Sequence, residues 1–204
     1  MEIIAEKRIV PVIAISDASK AAGLADALVN AGLPIAEVTL RTPSSLESLK
    51  VIAERKEILT GAGSLKNAQD LNNAVEAGAK FAVSAGFSPS VAAEAAKLKI
   101  PYFPGVATPT EILQALEAGI TTLKFFPAET LGGVSALKAM SAPFPGIQFM
   151  PTGGINLTNM NEYLSFAPVV AIGGSWMVPQ KLIDAGDFAE IEKLTKEALK
   201  AVTR

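Results

Sequence analysis

Short runs rich in Val, Ile, Leu and Phe recur along the chain at 8–15 (RIVPVIAI), 35–40 (IAEVTL), 57–61 (EILTG), 81–85 (FAVSA), 101–105 (PYFPG), 121–126 (TTLKFF), 147–152 (IQFMPT) and 169–174 (VVAIGG). Between them lie segments whose apolar residues return at helical spacing, such as DASKAAGLADALVNAG (17–32), NAQDLNNAVEAGA (67–79) and TEILQALEAGI (110–120). The starts of successive runs are 20 to 27 residues apart, the length of one compact strand–helix unit. Asp17, Asn67, Thr108 and Asn156 stand where helix N-caps are needed, and Gly32, Gly78 and Gly119 stand just past helix ends, where a left-handed residue is needed.

Several runs are apolar on both faces, as strands buried between two layers are. Eight repeats without a linker or low-complexity stretch predict an α/β chain in which residues 1–204 form a single (β/α)8 TIM barrel. A doubly wound open sheet is the structural alternative. The first dozen residues add a short N-terminal helix, and FAEIEKLTKEALKAV (188–202) supplies the last outer helix.

Composition narrows the function. Half of the 204 residues are hydrophobic and the formal net charge is −2, with no Lys/Arg block, so nucleic acid is not an expected partner. The N-terminal MEIIAEKRIVPVIAIS lacks the basic start, long apolar run and cleavage site of a signal peptide, and no apolar segment reaches the roughly 20 residues of a membrane span. A soluble, cytoplasmic protein with no membrane partner is the expectation. Cysteine and histidine are both absent, which removes disulfides, thiol nucleophiles, metal sites of the usual zinc or non-haem iron ligand types, and Ser-His-Asp triads. Acid–base chemistry must then use Glu, Asp, Lys or Tyr.

Active sites of such barrels lie at the C-terminal ends of the strands, and inward side chains come in layers from alternate strands. On the second strand Glu37, Thr39 and Arg41 share one face against Val38 and Leu40; on the sixth Thr122, Lys124 and Phe126 share a face against Leu123 and Phe125. If the apolar sets meet the outer helices, Glu37 and Lys124 face each other across the interior. The pair reads either as a structural buried ion pair or as a base and a nucleophile. Burial disfavours a charged ammonium, and a neutral amine can attack a carbonyl to form a Schiff base, with a carboxylate to move the protons.

Paired glycines follow the last two strands, in MPTGGINLTN and AIGGSWMVP. Each pair alone could be a tight turn. At the ends of the seventh and eighth strands they mark the recurrent phosphate site of this fold, here Gly153, Gly154, Gly174 and Ser175. Arg41 could fork a ligand carboxylate or be a solvated strand cap, and the GAGSLKN loop presents Ser64 at the same rim or is a plain turn capped by Asn67.

Together EVTLRT (37–42), GAGS (61–64), PGVATPTE (104–111), LKFFPAE (123–129), APFPGIQFMPTGGI (142–155) and IGGSW (172–176) resemble, in order and spacing over nearly the whole chain, the 2-keto-3-deoxy-6-phosphogluconate aldolase family, whose members also cleave 4-hydroxy-2-oxoglutarate. The resemblance implies a class I aldolase with no metal and no cofactor, usually a homotrimer, acting on a phosphorylated 2-keto acid. It assigns Lys124 as the Schiff-base lysine, Glu37 as general acid/base, Arg41 and Ser64 as carboxylate-binding, Phe126 and Thr152 as pocket residues, and the two glycine loops as the phosphate site. An aldolase for the galactonate epimer and a catalytically silent phosphosugar-binding barrel are the rival readings, and TLRT and PTGG resemble the gluconate branch. The chain departs from the family at Ser64, where threonine is usual, and at Ala85, where proline is usual. Serine keeps the hydroxyl and loses the methyl that stiffens the rotamer.

Overall fold

The chain alternates strand and helix through its length in the computed structural model, which describes residues 2–202. Positions 1, 203 and 204 of the expected 1–204 domain lie outside the described residues. The strands are β1 (Ile9–Ile13), β2 (Ile35–Thr39), β3 (Leu59–Gly63), β4 (Phe81–Val83), β5 (Tyr102–Phe103), β6 (Gly105–Val106), β7 (Thr122–Phe125), β8 (Gln148–Phe149) and β9 (Ile172–Gly174). Pro104, which has no N–H to give a ladder, divides the fifth apolar run into β5 and β6. Its carbonyl still accepts from Lys124 N at 2.8 Å, so the two pieces act as one stave.

All pairings are parallel, in the orders β5-β4-β3-β2-β1-β9 and β6-β7-β8. Bridges Phe149↔Val169 and Thr152↔Gly173 join the end of β8 to the approach of β9, and Pro104 joins β5 to β6. The sheet therefore curls round into a ring of eight staves, the expected TIM-barrel-like fold, and the open-sheet alternative is set aside.

The helices are α1 (Glu2–Lys7), α2 (Ala21–Asn30), α3 (Ser45–Ala53), α4 (Ala68–Glu76), α5 (Pro89–Leu98), α6 (Pro109–Glu117), α7 (Gly133–Ser141), α8 (Met160–Leu164), α9 (Gln180–Ala185) and α10 (Phe188–Ala201). None among the described residues is long and apolar enough to cross a membrane. The helix α10 packs on α2 and closes the outer layer, and Gly23 is the point of closest approach, since a Cβ there would lie 2.2 Å from the Phe188 ring. At the other end of the chain Arg8 donates to the carbonyls of Leu164 at 2.7 Å and Val169 at 3.2 Å, fastening the α1–β1 junction to the segment entering β9.

The capping signals mostly hold. Asn67 accepts from Asp70 N at 2.9 Å, Thr108 from Glu111 N at 3.4 Å, and Asp17 from Ser19 N at 2.9 Å at a 3-10 turn leading into α2. Gly32, Gly78 and Gly119 all have positive φ, at 84°, 104° and 75°. Asn156 differs: it accepts from Thr158 N at 2.8 Å in a turn, and α8 begins only at Met160, with Asn159 at its N-cap. An Asx turn competes locally with a cap for the same side-chain oxygen, which is why the residue type misleads there.

Candidate active site

The ladder sets the registry of the site. Glu37 pairs with Val12 on one side and Gly61 on the other, while Lys124 pairs with Gly105. Both side chains turn into the barrel, where Glu37 is fully buried and Lys124 is 5% exposed. Lys124 Nζ donates to Glu37 Oε1 at 3.3 Å, across a sequence separation of 87 residues. The ammonium also stands 5.3 Å from the centroid of the half-buried Phe126 ring, so the ring adds a favourable contact for a cation and a wall for a ligand. Glu37 Oε2 is buried, and among the described residues no protein group hydrogen-bonds it. A buried carboxylate oxygen left unpaired is costly in a purely structural ion pair, whereas an acid/base group needs a free oxygen aimed at its substrate.

Glycines make room for this carboxylate. A Cβ on Gly63 would lie 2.3 Å from Glu37 Oε1, and one on Gly61 would lie 2.4 Å from the Phe81 ring, which itself meets Phe103 edge-on at 6.2 Å. Gly63→Ala is therefore expected to push Glu37 off Lys124. Activity should fall more than tenfold while stability drops by about 1–3 kcal/mol, measured by steady-state kinetics and urea unfolding; unchanged kinetics in a folded variant would contradict this placement of Glu37.

The remaining predicted residues lie at the same C-terminal rim. Arg41 is exposed two residues beyond β2; its Nε donates to Thr39 Oγ1 at 3.1 Å, and Thr39 Oγ1 donates in turn to Ile13 O at 2.7 Å. Thr42, Ser44 and Ser45 fasten the same loop through hydrogen bonds to Ile15 O, Ser16 O (2.8 Å) and Thr39 O (2.8 Å). With its Nε used for orientation, Arg41 has both terminal nitrogens available for a carboxylate. Ser64 sits at φ 61°, a left-handed backbone in a residue that is not glycine. A β-branched residue is strained there more than serine is, so the exchange of the family's usual threonine for serine eases the backbone as well as freeing the rotamer. Ala85, the second departure, lies over β6: a Cβ on Gly105 would be 2.0 Å from Ala85 O.

Thr152 is 5% exposed at the end of β8, and a Cβ on Gly173 would lie 2.3 Å from its hydroxyl oxygen. The Thr152↔Gly173 bridge brings the two glycine loops side by side. Gly153 and Gly154 have φ of 104° and 81°, the Gly154 carbonyl accepts from Asn156 and Asn159 amides at 3.3 Å, and among the described residues their N–H groups have no protein acceptor. Gly174 is buried beneath the Trp176 ring and Ser175 is exposed. The free amides of Gly153 and Gly154 at the rim suit an anion. Contact with the Glu37–Lys124 pair is direct for Phe126 and Gly63; Arg41, Ser64, Thr152 and the glycine loops surround the same opening without a hydrogen bond to the pair.

Sequence reasoning gave no role to Thr39, Gly63, Gly173 or Glu129. Thr39 and Gly63 were within reach, because alternation puts Thr39 on the Glu37 face and a bulky inward carboxylate needs a small neighbour on the next strand. Open clefts also lie away from this pair. One of about 530 Å³ lies at the opposite end of the barrel, lined by Ile4, Pro101, Phe103, Thr122 and Gln148 among others, and is remote from the pair.

Three comparisons bear on this geometry. Residues 1–194 match the family model described as KDPG and KHG aldolase. The chain is 42% identical over 192 residues to the KHG/KDPG aldolase of Escherichia coli strain K12, covering 94% of this chain and 90% of that one. Among solved structures it is similar to the 2-keto-3-deoxy-6-phosphogluconate aldolase of Zymomonas mobilis ZM4 with 3-phosphoglycerate (41% identity, 97% and 93% coverage, TM-score 0.90). It is likewise similar to the KDPG aldolase of Legionella pneumophila with pyruvate captured as a covalent carbinolamine (38% identity, 96% of each chain, TM-score 0.92).

Proposed function

The chain belongs to the KDPG and KHG aldolase family, and from that premise we propose that its Glu37–Lys124 pair performs a Schiff-base retro-aldol cleavage of 2-keto-3-deoxy-6-phosphogluconate to pyruvate and glyceraldehyde 3-phosphate. The protein is accordingly a carbon–carbon lyase, with 4-hydroxy-2-oxoglutarate as a second substrate of the same site. The observation that carries the reading is the 3.3 Å contact between Lys124 Nζ and Glu37 Oε1, with Oε2 buried and unpartnered beside it.

Lys124 passes a proton to Glu37 along that contact, and the neutral amine attacks the C2 ketone. Glu37 returns protons to the developing carbinolamine oxygen, water leaves, and the protonated imine results. Glu37 then accepts the C4 hydroxyl proton; the C3–C4 bond breaks, its electron pair flows into the iminium, and the aldehyde departs. The remaining enamine is protonated at C3, and hydrolysis releases pyruvate and restores the amine.

Arg41, oriented by Thr39, and Ser64 receive the C1 carboxylate, Phe126 and Thr152 wall the pocket, and Gly153, Gly154, Gly174 and Ser175 receive the phosphate. The ligands held by the Zymomonas and Legionella relatives, a phosphorylated three-carbon acid and pyruvate, match the two ends of this substrate. The family resemblance also supports a cytoplasmic homotrimer with residues 1–204 as one domain, and a reaction without metal or cofactor. Cleavage followed by pyruvate release should proceed undiminished in excess EDTA, and a loss restored by a divalent ion would contradict the class I reading.

A further inference from the structure

The segment after the Lys124 strand carries an acidic residue directly against the glycine loop. Glu129 N donates to Gly153 O at 3.0 Å, Ala128 N donates to Thr152 O at 2.8 Å, and a Cβ on Gly154 would lie 2.6 Å from Glu129 Cβ and 2.7 Å from its Cγ. A carboxylate so close to a phosphate cradle is unfavourable by charge. Glu129 is exposed, and its Oε1 accepts the hydroxyl of Tyr163, a buried residue on α8, so this oxygen is held by the tyrosine. Gly133 leaves space for the pair, since a Cβ there would be 3.3 Å from Glu129 Oε1 and 3.5 Å from Tyr163 Oη.

We propose that Tyr163 is a specificity-determining positioning residue: it tethers the Glu129 carboxylate away from the Gly153–Gly154 amides and so keeps the cradle selective for a phosphorylated substrate. The inference rests on the reading of that loop as the phosphate site. Burial, with the hydrogen bond to Glu129 and the charges of Glu129 and Glu162 behind it, holds the Tyr163 phenol above its ordinary range, so the hydroxyl remains a donor across the working pH. Among the described residues neither Tyr163 nor Glu129 hydrogen-bonds Lys124 or Glu37, so the tether acts on binding of the phosphorylated end and not on the imine steps.

Tyr163→Phe, Glu129→Gln and the double variant, assayed with 2-keto-3-deoxy-6-phosphogluconate and with unphosphorylated 4-hydroxy-2-oxoglutarate, test this, with inorganic phosphate as competitive inhibitor. Tyr163→Phe should raise KM for the phosphorylated substrate and Ki for phosphate about three- to tenfold, leaving kcat and the unphosphorylated substrate unchanged. Glu129→Gln in the Tyr163→Phe background should restore phosphate affinity, because it removes the freed charge. Equal losses on both substrates, or no restoration in the double variant, would reduce Tyr163 to a structural brace and overturn the proposal while the cradle stands. If phosphate fails to inhibit even the unaltered enzyme, the cradle reading fails and the proposal falls with it.

Discussion

Lys124→Met should abolish cleavage, by about 10⁴-fold or more in kcat, because the proposed mechanism runs through a covalent intermediate on this amine. The same change strands Glu37, fully buried, without its cation, and loss of one partner from a buried pair costs about 3–5 kcal/mol. Activity and stability can be separated by the double variant Glu37→Gln/Lys124→Met. Removing both charges should recover most of the lost stability in urea unfolding, as uncharged replacements of buried pairs commonly do, while activity stays at background. A double variant as unstable as the single one would mean that Lys124 supports the fold by packing rather than by charge. Residual turnover in either would point to another nucleophile.

Glu37→Gln is expected to lower kcat about 10²- to 10⁴-fold, the range for a positioned acid/base group. The effect should reach every proton transfer, so exchange of pyruvate methyl hydrogens with deuterated water, which needs only imine and enamine formation, should slow in parallel with cleavage. If exchange continued at the unaltered rate while cleavage stopped, Glu37 would serve the C4 hydroxyl alone and another group would handle the imine. The unpartnered Oε2 favours the broader role, since Oε1 is already taken by Lys124.

Much of this was legible in the chain because it depends on periodicity. Alternation along EVTLRT and TTLKFF fixes which side chains point inward, and the order of the strand–helix units places the second and sixth staves opposite one another; their side chains do meet, at 3.3 Å. The glycine pairs after the last two barrel strands were legible for a similar reason, since their place in the chain order sets their place on the rim. What depends on a single contact was not legible. The interruption at Pro104, the turn at Asn156 and the left-handed backbone at Ser64 each follow from local geometry that residue type only loosely constrains. The Glu129–Tyr163 hydrogen bond joins residues 34 apart, with α7 and β8 between them, and no repeat in the sequence announces it. Thr39 stands between these cases: its face is periodic, and its use as the hook for Arg41 is not.

Reduction of a mixture of the protein and pyruvate with borohydride, followed by peptide mapping, shows whether Lys124 carries the covalent intermediate. One modified lysine, Lys124, is expected, with strongly reduced labelling in Glu37→Gln over the same interval. Labelling at a different lysine, or none in protein that still cleaves the substrate, would contradict this role for Lys124.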